Sequence, residues 1–140
     1  EDWYIDIMTA NLINEDLQRD FQVFVLPNLY GDIITDEAAQ IQGGMGTAGS
    51  ANIGSQYAMF EAVHGSAPRM VEEGIEDRAN PESLLKATEL MLRHIGYAQK
   101  AEQLRRAVDS AASDPSLQMT GTREGSSTDD FTEAVLKALN

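Results

Sequence analysis

Cysteine is absent from this chain and basic residues are scarce, with ten lysines and arginines against 23 aspartates and glutamates and a formal net charge of −13. Without cysteine there is no disulfide framework and no thiolate chemistry, although that count alone leaves the compartment open. The acidic excess argues against nucleic acid or an anionic membrane as a partner, because both would repel such a surface. Long apolar runs are missing as well. Val23-Phe24-Val25-Leu26 stops at Pro27, far short of the roughly 20 apolar residues that a membrane-spanning helix requires. No basic stretch followed by an apolar segment and a small-residue cleavage site opens the chain, so the expectation is a cytoplasmic protein. The glycine fingerprint G-x-G-x-x-G is also lacking, which removes the Rossmann phosphate turn from consideration.

What is present has the balance of a globular protein: 42% hydrophobic and 24% charged residues, enough chain for one core of ordinary size. Ile5, Met8, Leu12 and Ile13 recur at helical spacing and predict a helix within residues 2–17. Residues 21–26 are short, β-branched and aromatic, and end at proline, the pattern of a buried strand. A helix is expected over 31–41, and residues 42–54, with five glycines, read as a loop. Residues 57–63 read as a second strand and 64–68 as the loop leaving it.

Asn80-Pro81 opens a helix with Leu84, Leu85, Thr88, Met91, Leu92 and Ile95 as its apolar stripe and Gly96 as its stop. The next helix carries Tyr97, Ala101, Leu104 and Val108 on one face. Residues 113–128 are polar and irregular, and Ser127-Thr128-Asp129-Asp130 caps a last helix through Leu139. Helices alternating with short apolar strands indicate an α/β architecture with a parallel or mixed sheet. Two strands are too few for an independent α/β domain, so the chain reads as part of a larger sheet.

The candidate chemistry begins at Asp32 and Asp36. Four residues apart, they project from one face of a helix, and converging carboxylates suit a hard cation. On spacing alone a solvated helix face is the better account of two acids in so acidic a chain. The apolar run before them, the Pro27-Asn28 turn and Gly31 tip the reading toward a bound hard cation such as Mg²⁺.

Tyr4-Ile5-Asp6, the segment Asn28 to Asp36 with its asparagine-x-x-glycine-aspartate-x-x-x-aspartate spacing, Phe60-Glu61-Ala62-Val63-His64-Gly65-Ser66-Ala67-Pro68, and Asn80-Pro81 follow one another in an order and at separations that resemble the isocitrate/isopropylmalate dehydrogenase family. The resemblance spans nearly the whole chain but only the C-terminal portion of such an enzyme. It implies that 1–140 is a C-terminal segment of a larger dehydrogenase with the upstream portion absent, folded as part of that family's three-layer α/β fold. The implied reaction is metal-dependent oxidative decarboxylation of a small-molecule 2-hydroxy acid with reduction of NAD or NADP. The likeness of residues 43–74 favours isocitrate over 3-isopropylmalate, homoisocitrate or tartrate. A non-catalytic regulatory or interaction subunit is the alternative of another class.

Carried onto this sequence, the resemblance makes Asp32 and Asp36 metal ligands from one subunit and Asp6 a ligand from the other, in a homodimer with shared active sites. Without it, Asp6 would read as an exposed helix residue. His64, Gly65, Ser66 and Ala67 would wrap the adenosine half of the cofactor, and Asn80 would contact the adenine. Taken alone, His64 would be a structural histidine at a strand end. Arg69 and Met70 would meet the ribose. Arg69 stands where the family's NAD users commonly carry aspartate and its NADP users a cation, and its charge favours a phosphate. Four acids nearby, Glu72, Glu73, Glu76 and Asp77, and the want of the tyrosine-and-arginine pair of some NADP-dependent relatives in 119–128 leave NAD and NADP balanced. The general acid/base tyrosine and lysine belong upstream. Tyr4, Tyr30 and Lys86 have the wrong contexts to replace them, so no catalytic residue is assigned and the isolated chain is expected to be inactive.

Overall fold

The computed structural model describes residues 2–140, except for the side chains of Asp20 and Met45. The chain divides into two compact units, the first running to Gly44 and the second spanning Met45–Asn140.

In the first unit, α1 (Ile5–Leu12) buries Met8 and Leu12, and α2 (Asn28–Gln42) buries Ile34 and Ala39. The first helix is shorter than its periodicity suggested. Asn14 turns its carboxamide oxygen onto the backbone N–H of Asp16 at 3.0 Å, a local bond that competes with helix continuation. The second begins three residues earlier than expected, with Pro27 as its N-cap and the Gly31 N–H bonded to the Pro27 carbonyl at 2.8 Å. Asp32 and Asp36 therefore sit in its second and third turns.

The strand expected over 21–26 is not formed. Phe21 stacks edge-on against Trp3 at 5.9 Å and tilts onto Phe24 at 5.2 Å. Val23 and Val25 stand 81% and 93% exposed. The segment's composition suits a strand, but among the described residues no neighbouring strand pairs with it.

In the second unit, β1 (Gly49–Ile53) and β2 (Ala58–Ala62) form an antiparallel hairpin in which Ala51 faces Phe60 and Gly49 faces Ala62. This corrects two expectations. Part of the glycine-rich stretch is a strand, and the sheet among the described residues is antiparallel. The glycines do not prevent pairing here, because one of them makes it possible: a Cβ on Gly49 would lie 2.5 Å from the backbone nitrogen of Ala87. That closeness seats the hairpin on α4 (Glu82–His94).

The stripe expected on α4 is also displaced. Ser83 and Ala87, small enough for such an approach, are buried, while Leu84 and Ile95 are 58% and 54% exposed. Glu82 and Glu89 lie on the covered side. Each is paired one turn along, with Lys86 at 2.7 Å and Arg93 at 2.5 Å, which is how buried carboxylates are tolerated.

Gly96 stops α4 as expected, with φ of 89°. The Tyr97 N–H returns to the Leu92 carbonyl at 2.8 Å and the Gly96 N–H to Arg93 at 3.2 Å, a Schellman closure. From there α5 (Ala98–Ala112) and α6 (Thr128–Leu139) build the core around Phe131, Val108 and Val135, with Ala107 and Ala111 between them. Ser127 and Asp130 form a reciprocal capping box at the start of α6. Among the described residues no helix is long and apolar enough to cross a membrane.

Candidate functional site

Asp32 and Asp36 lie one turn apart on α2, both exposed. Among the described residues neither makes an ion pair or a side-chain hydrogen bond, so their oxygen lone pairs are available to a hard cation. Thr35, between them, turns its hydroxyl back to the Gly31 carbonyl at 2.6 Å and does not compete for the same ligand. A Cβ on Gly31 would meet that of Leu26 at 3.9 Å, an ordinary contact, so the approach to the preceding segment does not depend on glycine.

Asp6 is held differently, its carboxylate accepting the N–H of Ile7 at 2.9 Å on the exposed side of α1. It is not gathered with the pair within the chain. Among the described residues no three histidine or carboxylate side chains converge as a metal site. Two carboxylates from one chain are nevertheless a sufficient protein contribution for Mg²⁺, which fills its octahedron with water and substrate oxygens. The donor set fits the ion expected from the sequence.

The second constellation begins where β2 ends. The Val63 N–H donates to the Ser83 hydroxyl at 2.8 Å, and that hydroxyl in turn donates to the Ala48 carbonyl. Ser83 is fully buried, so the start of the loop is fixed to α4 through a group that water cannot replace. Beyond it, His64 Nδ1 lies 2.9 Å from the Gly65 carbonyl oxygen, and Gly65 and Ser66 are exposed. Ala67 is left-handed, with φ of 42° and ψ of 53°. Among the described residues no other non-glycine residue has positive φ. Such a conformation costs on the order of 1 kcal/mol or more for alanine and concentrates where a ligand or a forced turn demands it.

Pro68 then opens α3 (Pro68–Glu72), and the Met70 N–H returns to the Ala67 carbonyl at 3.0 Å. Asn80 accepts the Glu82 N–H on its side-chain oxygen at 3.0 Å. Among the described residues its carboxamide nitrogen has no partner and remains a free donor. Pro81, rather than Asn80, occupies the N-cap position.

Arg69 is exposed and pairs with Glu73 one turn along at 2.5 Å. The hydrogen bond that the guanidinium donates to Glu73, and secondarily the charge of that carboxylate, raise Arg69 above its ordinary pKa. Sequence reading missed Arg123. The loop before α6 folds back so that Arg123 donates to the Glu73 carbonyl, and Arg69, Glu73 and Arg123 line one cavity of about 500 Å³. The loop is pinned from two sides, by Arg78 on the Gly125 carbonyl at 2.7 Å and by Thr128 on the Ala79 carbonyl at 2.6 Å. A lone cation in a polar loop looks solvated in sequence. Only its return to α3 distinguishes it.

Set against known proteins, residues 1–135 match the family described as Isocitrate/isopropylmalate dehydrogenase. The chain is 45% identical over 150 residues to isocitrate dehydrogenase (NADP) of Rickettsia bellii (strain RML369-C), an alignment covering 99% of this chain and 29% of that protein. It is 44% identical over 107 residues to 3-isopropylmalate dehydrogenase of Methanothermobacter thermautotrophicus, covering 76% of this chain and 31% of that one. The solved isocitrate dehydrogenase of Methylococcus capsulatus shares its fold with a TM-score of 0.87 at 36% identity, over 99% of this chain and 40% of that chain. The chain thus spans about three-tenths of the length of the curated relatives it matches. The α/β fold expected from sequence is borne out.

Proposed function

We propose, because the chain belongs to the isocitrate/isopropylmalate dehydrogenase family, that it is a C-terminal segment of an enzyme that oxidatively decarboxylates isocitrate to 2-oxoglutarate with reduction of NADP or NAD. The observation that carries the reading is the loop leaving β2: clamped by Ser83, forced left-handed at Ala67, and accompanied in the same unit by a free Asn80 donor. Small residues and exposed backbone at 64–67 allow close approach to a flat nucleoside, and the Asn80 carboxamide can donate to a ring nitrogen of adenine. Arg69 and Met70 adjoin the ribose. Asp32 and Asp36 hold Mg²⁺ or Mn²⁺, and Asp6 reaches the same ion from a second copy, so the active sites of a homodimer are shared.

When bound, the cation supplies Lewis acidity and the dinucleotide accepts the hydride. This chain's part is to place both. On this reading the proton-transferring tyrosine and lysine belong to the upstream part of the enzyme. Isocitrate is favoured over 3-isopropylmalate because isocitrate dehydrogenases of Rickettsia match this chain at up to 52% identity, against 44% for the 3-isopropylmalate dehydrogenase over the same 107-residue length. The reading puts the enzyme in the cytoplasm at the isocitrate step of the tricarboxylic acid cycle.

Manganese titration of the assembled enzyme by electron paramagnetic resonance tests the metal half. Asp32→Asn and Asp36→Asn should each abolish tight Mn²⁺ binding with the circular dichroism spectrum unchanged. Undiminished binding in both would sink the assignment, and indifference of the whole assembly to these changes would favour a regulatory subunit. The 140-residue chain alone should not turn over isocitrate, and measurable turnover would overturn that.

A further inference from the structure

The last helix and the loop before it line a cavity of about 650 Å³ that shares no residue with those assigned to the metal or the cofactor. One wall is the face of α6 that carries Asp130, Glu133, Ala134 and Lys137, three or four positions apart. Facing them are Ser116, Leu117 and Ser126. Leu117 and Ala134 rest on the core around Phe131, so the floor is apolar and fixed. The volume is within the roughly 300–1,000 Å³ of small-molecule sites.

The polar groups of this cavity are unequally engaged. Asp130 already accepts the Ser127 N–H at 2.8 Å and its hydroxyl at 2.7 Å, and the Ser116 hydroxyl donates to Asp114 at 2.6 Å. Glu133 and Lys137 stand one turn apart in the order that favours an ion pair, yet among the described residues neither makes an ion pair or a side-chain hydrogen bond. The Ser126 hydroxyl donates only to the Ser116 carbonyl, at 3.5 Å, longer than a well-formed bond. A free carboxylate, a free ammonium and a loosely held hydroxyl therefore line one apolar-floored cavity.

That set decides the class of ligand. A simple anion would meet Lys137 but also Glu133 and Asp130, in a chain of net charge −13. A simple cation would leave Lys137 unanswered and close to it. A zwitterion satisfies both free charges and has no net charge for the protein's field to repel. In an α-amino acid the two charged groups share one carbon, which leaves the side chain to cover Leu117 and Ala134. Ser126 adds a consequence for the loop. Its N–H donates to the Gln118 carbonyl at 2.9 Å and its hydroxyl accepts the Gln118 N–H at 3.1 Å, so these two residues close the neck of the loop. A ligand held by both Lys137 and Ser126 ties that neck to α6.

We propose that this cavity binds an α-amino acid with a branched aliphatic side chain, its ammonium on Glu133, its carboxylate on Lys137 and the Ser126 hydroxyl, and its side chain on Leu117 and Ala134. Binding orders the loop at 116–126 against α6. The inference stands apart from the metal and cofactor readings.

Calorimetric titration of the full chain with L-leucine tests it, with isoamylamine and isocaproate as probes that each lack one of the two charges. Leucine should bind at least tenfold more tightly than either. Lys137→Met and Glu133→Gln should each weaken leucine about ten- to a hundredfold, the size of a charge-assisted hydrogen bond. The exchanged pair, Glu133→Lys with Lys137→Glu, should recover part of the affinity, which guards against misfolding of the single variants. Leucine should also slow amide hydrogen exchange at Gln118 and Ser126. Absence of leucine binding, equal binding of the three probes, or affinity untouched by both single variants overturns the site. Binding with unchanged exchange at Gln118 and Ser126 overturns the ordering of the loop.

Discussion

The backbone N–H of Val63 donates to the hydroxyl of Ser83, 20 positions away, at 2.8 Å. One buried hydroxyl thereby fixes the point at which the candidate cofactor loop leaves β2, and because Ser83 also donates to Ala48 it ties both strands of the hairpin to α4. Ser83→Ala should cost about 1–3 kcal/mol, toward the lower end because the Val63 N–H keeps a second acceptor at the Ala48 carbonyl, 3.3 Å away. Urea denaturation of the full chain measures it. No loss would mean that the clamp does not hold the loop.

The contact of Gly49 with α4 predicts an overpacking defect. In Gly49→Ala the new methyl would stand 2.5 Å from the Ala87 nitrogen and 2.9 Å from its Cα, both backbone atoms of a helix that cannot swing aside. A destabilisation of about 1–3 kcal/mol is expected, with the hairpin lifting from α4. Amide hydrogen exchange should show the loss concentrated in β1 and β2, and a uniform or absent change would contradict the seating.

At the start of α6, Ser127→Ala removes the side chain that receives the Asp130 N–H and should cost about 1 kcal/mol. The Ser127 hydroxyl and backbone N–H hold the Asp130 carboxyl below its ordinary pKa. A lowered folded pKa means that this contribution is present above the ordinary aspartate pKa and is lost as pH falls through the folded value. The penalty of Ser127→Ala should accordingly shrink in acid, as pH-dependent thermal melts would register. A penalty that grew toward low pH would contradict the capping box.

Glu102 predicts a second acid transition. Hydrogen bonds from Arg105 and then Arg106 hold its carboxyl at about 2, against an ordinary 4.5. Since the folded value is the lower one, the stabilisation is complete above 4.5 and disappears as pH falls toward about 2. Glu102→Gln should flatten the stability profile across that window, with its full loss near neutrality and convergence on the parent protein as pH falls toward about 2. All three groups are at the surface, so added salt should shrink the difference. A salt-insensitive difference would point to a buried origin instead.

Helix boundaries and the candidate ligands were readable because their signals are local. Gly96 and the Ser127 box act within a few residues of their own helix ends, and one helical turn is enough to align Asp32 with Asp36. The run from Phe60 to Pro68 carried the candidate cofactor loop in its own order of residues. The sequence by itself therefore determined where most helices stop, which carboxylates can act together, and which family the chain resembles.

Tertiary structure decided what depends on a distant partner. Residues 21–26 have strand-like composition and remain unpaired, whereas Gly49–Ile53, poor in strand formers, becomes a strand because β2 and α4 receive it. The buried side of α4 fell to Ser83 and Ala87 and not to its leucines, since close backbone approach rewards small side chains. Arg123 joined Arg69 only through a loop closed by bonds from Arg78 and Thr128. Strand pairing, the choice of buried face and the meeting of two cations are relations between distant residues. Propensity and periodicity act only on neighbours along the chain.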